Sequence, residues 1–109
     1  MRLYETVFIL DPKLEENQVS EEIGKVRDLI TRLGGEIVKV EEGGKRKLAY
    51  EIKRNKEGYY VLIVFRSDPS SIAEIERSYR LNEKVLRHII IVATEKKTET
   101  QTTEMSGEA

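Results

Sequence analysis

The feature that most constrains this chain is the way its apolar period switches along the sequence. Residues 3–10, Leu-Tyr-Glu-Thr-Val-Phe-Ile-Leu, are rich in β-branched and aromatic side chains and stop at Asp11-Pro12, which is the signature of a strand. From residue 19 the period changes. Val19, Ile23, Val26, Ile30 and Leu33 step by 4, 3, 4 and 3 and so line one face of a helix, with Leu29 at its flank. Gly34-Gly35 closes that helix, because glycine accepts the left-handed conformation found at helix ends. Over residues 36–53 a strand pattern returns around Ile37, Val38, Val40, Leu48, Tyr50 and Ile52, interrupted by Gly43-Gly44. It reads as one long bent strand with the glycines at a bulge or kink. Asn55-Lys56-Glu57-Gly58 reads as a turn in which glycine supplies a positive φ. Residues 59–65, Tyr-Tyr-Val-Leu-Ile-Val-Phe, form an uninterrupted apolar strand. Asp68-Pro69 suits the start of a second helix, the carboxylate capping free amides and proline fitting the first turn. Ile72, Ile75 and Tyr79 give that helix its buried stripe, Glu76 and Arg80 can pair across one turn, and Asn82 ends it. Residues 86–93 make a last strand.

The order is β-α-β, then β-α-β, which is the α+β ferredoxin-like βαββαβ sandwich. Right-handed crossovers put strands one and three in the centre of a four-stranded antiparallel sheet, with both helices on one face. The domain covers residues 1–93. From Thr94 the composition shifts to Thr, Glu, Lys, Gln, Ser and Gly without apolar periodicity, and residues 94–109 read as a disordered polar tail. The 109 residues contain no cysteine, which excludes a disulfide framework, a thiolate metal site and thiol chemistry. No apolar run approaches a membrane span, and the start of the chain has no secretory pattern. A cytoplasmic protein is expected.

A sheet covered on one side should alternate apolar and polar residues, and this one does so poorly. The third strand has Tyr59, Val61, Ile63 and Phe65 on one side and Tyr60, Leu62 and Val64 on the other. Strands one and four are similarly two-sided. Two helices cannot cover both faces, so the free face carries an apolar patch for a partner, the chain forms an oligomer or a barrel, or twist and the long second strand shield much of that face.

Enzymatic chemistry finds no support. The single histidine, His88, stands beside Arg87 without an acid–base constellation. The adjacent pairs Glu15-Glu16, Glu21-Glu22 and Glu41-Glu42 diverge in any regular structure and read as solvated charges rather than metal ligands. Gly44-Lys45 is not a phosphate loop, because Lys39 occupies the first glycine position and Arg46 replaces the magnesium-binding hydroxyl residue. No cofactor, metal or small-molecule substrate is expected. An RNA-recognition motif shares the element order, but Glu57-Gly58-Tyr59-Tyr60-Val61 lacks its basic residue and its second stacking aromatic.

Charge is more informative in its placement than in its sum. The formal net charge is −1, which excludes nucleic-acid binding by bulk positive charge. The tail alone carries four glutamates against two lysines, so residues 1–93 stand at +1. Within them Lys45, Arg46, Lys47, Lys53, Arg54 and Lys56 form one basic cluster. Arg77, Arg80, Lys84 and Arg87 form another, and residues 11–22 are acidic.

Several segments have a familiar form: Met1-Arg2-Leu3-Tyr4-Glu5, the run Lys45-Arg46-Lys47-Leu48-Ala49-Tyr50-Glu51-Ile52 after the double glycine, Gly58-Tyr59-Tyr60, and Tyr79-Arg80-Leu81-Asn82-Glu83-Lys84-Val85-Leu86-Arg87-His88. In order and spacing, over residues 1–93, they resemble the family of bacterial small-subunit ribosomal protein six. The chain departs from that pattern at Glu51, where the family often has proline, and near Gly43, where it often has a bulky residue. The resemblance implies a non-enzymatic protein that binds small-subunit ribosomal RNA jointly with ribosomal protein eighteen in the central platform. On that reading Arg2, which resembles the family's N-terminal arginine, is expected to contact phosphate, with Arg80, Arg87 and His88 near the last strand as further RNA candidates. Arg46, Lys47, Leu48 and Tyr50 of the edge strand, with Tyr60 and Leu62, are the candidates for the protein partner. The alternative class is a homodimeric ferredoxin-like ligand-binding or regulatory domain, because the fold by itself does not select a function.

Overall fold

The computed structural model describes residues 1–93; the tail expected to be disordered, 94–109, lies outside the described residues. The elements are β1 (Arg2–Leu10), α1 (Glu16–Arg32), β2 (Glu36–Ile52), β3 (Asn55–Ser67), a single 3-10 turn (Pro69–Ser71), α2 (Ile72–Leu81) and β4 (Val85–Ala93). The sheet order is β2-β3-β1-β4 with antiparallel neighbours throughout. This is the expected ferredoxin-like sandwich, with β1 and β3 central.

Side-chain parity divides the sheet. Tyr4, Phe8 and Leu10 of β1 and Val61, Ile63 and Phe65 of β3 point to the helix side. There they meet Val19, Ile23, Val26 and Ile30 of α1 and Ile75 and Tyr79 of α2. Tyr4 stacks on Phe65 with ring centroids 5.6 Å apart, and Phe8 lies 5.3 Å from Tyr79. Burial of such side chains contributes about 1.5–3 kcal/mol each, so this layer supplies most of the driving force. The Tyr79 hydroxyl remains polar inside it and shares a 2.9 Å hydrogen bond with Thr6.

Helix ends follow local chemistry. Gln18 Oε1 accepts from the Glu15 amide at the start of α1. At its end Gly34, with φ +88°, lets its own amide reach the Thr31 carbonyl and the Gly35 amide reach that of Ile30, a Schellman closure. Asp68 accepts from the Ser70 amide before α2, as expected from the sequence. Arg80 lies 3.9 Å from Glu76, the anticipated pair.

Two local expectations are corrected. The turn is not at Asn55–Gly58, which belongs to β3. It is the two-residue link Lys53-Arg54, both at positive φ (49° and 68°), between the paired residues Ile52 and Asn55. Buried Asn55 holds it by donating to the Lys53 carbonyl at 3.2 Å. Gly58 is needed for space instead, since a Cβ there would come within 2.2 Å of Ile9 Cγ2. The second correction concerns Glu22, which is not solvated but 2% exposed. It accepts from Asn82 at 2.6 Å, Lys25 at 3.0 Å and Lys84 at 3.5 Å, tying α1 to the link between α2 and β4. Burial pushes the Glu22 carboxyl up, but the bonds from Asn82 and Lys25 and the charges of Lys25 and Lys84 outweigh it and hold it below the usual range.

Two predictions follow from these contacts. The left-handed conformation costs a non-glycine residue about 1 kcal/mol, so Lys53→Asn with Arg54→Gly should raise the unfolding free energy in denaturant by about 1–2 kcal/mol. Glu22→Gln should lower it by about 1–3 kcal/mol at neutral pH. The folded carboxyl titrates lower than the unfolded one, so its stabilisation is present above the unfolded value of 4.5 and is lost as pH falls through the folded value. Melts of the two proteins should therefore converge in acid.

Candidate nucleic-acid and partner interface

The long β2–β3 hairpin organises the charged surface. β3 pairs with β1 only from Tyr59 onward, so Asn55–Gly58 and the facing part of β2 project past the end of β1. That is also the end at which β4 begins and α2 finishes. The two basic clusters, some thirty residues apart in sequence, are thereby brought to one end of the sheet. The link is direct. Arg87 of β4 donates to the Tyr50 hydroxyl of β2 and sits 5.4 Å from its ring centroid, a cation–π geometry. The hairpin thus curls across the helix-free face, and half-buried Leu48 comes down over the Gly58–Ile9 contact.

The four RNA candidates do not converge. Arg80 is exposed on the last turn of α2. Arg87 is exposed on the helix-free face, opposite Ile9 of β1. His88 is half-buried on the helix side, stacked 5.0 Å from the Tyr79 ring. Arg2 is exposed at the other end, paired with Ser67. It stands seven residues along β1 from Ile9, roughly 24 Å at strand rise. The candidates are therefore separate exposed or half-buried positions rather than one pocket.

The protein-contact candidates are closer together. Tyr60 and Leu62 lie on the helix-free face of β3, and the Arg46 guanidinium sits 6.0 Å from the Tyr60 ring. Tyr50 is 59% exposed and Lys47 is exposed beside it on the hairpin. Leu62 is only 8% exposed, although no helix lies above it. The helix-free face is therefore partly shielded by its own long side chains and by the hairpin. What remains open to a partner is Tyr50, Ile89 at 46% exposure, and the half-buried Leu3, Val7, Tyr60 and Ile91.

One residue of this face escaped the sequence reading. Glu5 is 1% exposed, and neither of its carboxylate oxygens receives a hydrogen bond. Burial pushes its carboxyl up, the charge of Lys39 draws it down, and that of Glu41 adds to the rise. The signal was present, because Glu5 is the lone acid within an apolar strand and shares its parity with Leu3, Val7 and Ile9.

Elsewhere, a shallow cleft between the start of α1 and β2 contains Tyr59, whose hydroxyl donates to Glu42 at 2.6 Å. That bond, with burial, pushes the hydroxyl up to about 12. Among the described residues no group of three potential ligands is placed to hold a metal ion, and no helix is long and apolar enough to cross a membrane.

Comparison with known proteins gives a consistent outcome. The family profile described as Ribosomal protein S6 matches residues 3–92. The small ribosomal subunit protein bS6 of Helicobacter hepaticus is 47% identical over 97 residues, covering 89% of this chain and 71% of that one. Its counterpart in Caldanaerobacter subterraneus subsp. tengcongensis is 48% identical over 91 residues, covering 84% and 96%. The crystal structure of 30S ribosomal protein S6 from Thermotoga maritima superposes with a TM-score of 0.83 at 34% identity, covering 94% of this chain and 97% of that one. With its element order, sheet topology and sequence all in agreement, the chain belongs to the ribosomal protein S6 family, structural proteins of the small ribosomal subunit.

Proposed function

We propose that this chain binds small-subunit ribosomal RNA jointly with ribosomal protein eighteen and enters the central platform of the subunit as one half of that pair. The observation that carries the reading is a juxtaposition. The basic end of the sheet, with Arg46, Lys53, Arg54, Lys56, Lys84 and Arg87, adjoins a helix-free face that keeps Tyr50 and Ile89 exposed. A domain at +1 gains little from counterion release alone, since affinity scales with the number of phosphates neutralised. A basic partner on the apolar face supplies the missing charge. Arg2, Arg80 and Arg87 then act as positioning contacts to phosphate rather than as readers of sequence. His88, half-buried and stacked on Tyr79, lies near the same end. Arg46, Lys47, Leu48, Tyr50, Tyr60 and Leu62 face the protein, Leu48 and Leu62 by supporting the surface that the two tyrosines form. A cytoplasmic ribosomal location goes with family membership.

The test is a mobility-shift titration on a central-domain fragment of the ribosomal RNA, with and without ribosomal protein eighteen. The chain alone should bind weakly, and the two proteins together at least tenfold more tightly, with a steeper salt slope. Arg2→Ala and Arg87→Ala should each reduce the joint slope by about one, the mark of a lost phosphate contact. Tight binding by this chain alone, unchanged by the partner, would overturn the joint reading.

A further inference from the structure

Glu5 lies midway along β1, between Val64 of β3 and Ile91 of β4. Both of its neighbours across the sheet are apolar. On the same face β2 brings Lys39 and Glu41, β3 brings Arg66 one pair along, and β4 presents Ile89 and Ile91. The Lys39 ammonium is engaged with Glu41 at 2.8 Å, and no donor reaches either Glu5 oxygen. A carboxylate withdrawn from water without hydrogen bonds is destabilising, and an apolar residue of similar size would serve the isolated fold better. The isolated fold therefore gives no reason for an acid at this position.

We infer that Glu5 is the receptor for a cationic side chain, arginine or lysine, which a basic protein partner inserts into the helix-free face of the sheet. The inference rests on the joint-binding reading above and specifies where on this chain the partner's charge is received. Charge complementarity selects the occupant. An RNA phosphate would be repelled by the carboxylate and would leave the surrounding Leu3, Val7, Ile89 and Ile91 uncovered. A basic protein satisfies both needs, since the aliphatic stem of arginine or lysine packs on apolar neighbours while its head reaches the acid. Access for such a group requires side-chain movement, because Glu5 is buried. Among the described residues no helix lies over Glu5, and Lys39, whose side chain is 48% exposed, can change rotamer rapidly. Once docked, the partner excludes water from the pair and strengthens it.

The test is Glu5→Gln, which keeps the shape and removes the charge. Two readouts separate a receptor from a structural residue. In thermal melts of the free chain the variant should be as stable as the wild type or more so at neutral pH. The folded Glu5 carboxyl titrates above the unfolded value of 4.5; what it adds to stability is present below that value and is lost as pH rises through the folded one. The advantage of the variant should therefore grow from acid towards neutrality. In calorimetric titration with purified ribosomal protein eighteen, the variant should bind at least tenfold more weakly. Ile89→Lys, on the same face and already exposed, should weaken binding at least tenfold by repelling the basic partner while leaving the melt intact. An unchanged affinity for Glu5→Gln, with the wild type binding normally, would overturn the inference and leave joint binding standing. Failure of the wild type to bind ribosomal protein eighteen, with or without RNA, would overturn the joint reading and the inference with it. A stable homodimer in sedimentation at micromolar concentration, released by Ile89→Lys, would assign the face to a second copy and overturn the inference alone.

Discussion

The pairing of β1 with β3, from Arg2 opposite Ser67 to Leu10 opposite Tyr59, is the constraint on which the rest of the structure depends. Both strands are apolar on both sides, so they belong at the centre of a sheet. Right-handed crossovers then send β2 and β4 to the edges and both helices to one face. One face of the sheet is left without a helix. It carries buried Leu62 and Val64, which no helix covers, and it has an acid at its middle. The β2 edge is guarded from pairing with other strands by charge, where Lys39, Glu41, Glu42, Lys45, Arg46 and Lys47 lie along it.

Much of this was readable from residue patterns. The heptad-like spacing from Val19 to Leu33 marked α1, and Asp68-Pro69 marked the approach to α2, because both signals are local. The misplacement of the β2–β3 turn shows where local signals end. Glycine at position 58 suggested a turn by its freedom, yet it serves a long-range need, the approach of Ile9. The true turn uses lysine and arginine in a conformation that neither favours, which no propensity scale would select. Glu22 is a second case. Its neighbours Asn82 and Lys84 lie sixty residues away, so nothing in its own segment distinguishes it from solvated Glu21.

The candidate site divides along the same line. That basic residues gather in two segments was visible in sequence, but their meeting at one end of the sheet was not, because it depends on the hairpin curling until Tyr50 meets Arg87. The separation of Arg2 from that end follows from its place at the start of β1, opposite Ser67, while the hairpin projects past Leu10 at the other end. A chain that looks nearly neutral as a sum thus presents basic ends and an apolar face with an acid at its centre. Weak overall charge conceals a marked local segregation of charge.

The position of β1 in the sheet also governs how the chain can acquire its structure during synthesis. Both strands that pair with β1 lie downstream, the first of them completing only at Ser67 and the second at Ala93. At roughly 5–20 residues per second, β1 waits about 3–10 s, unpaired and apolar on both sides, before β3 has been made. The β2–β3 hairpin is the most local strand pair in sequence, and it alone cannot bury the helices. Folding of the whole sheet therefore waits until β4 has been made, and truncation anywhere before β4 leaves one flank of β1 bare.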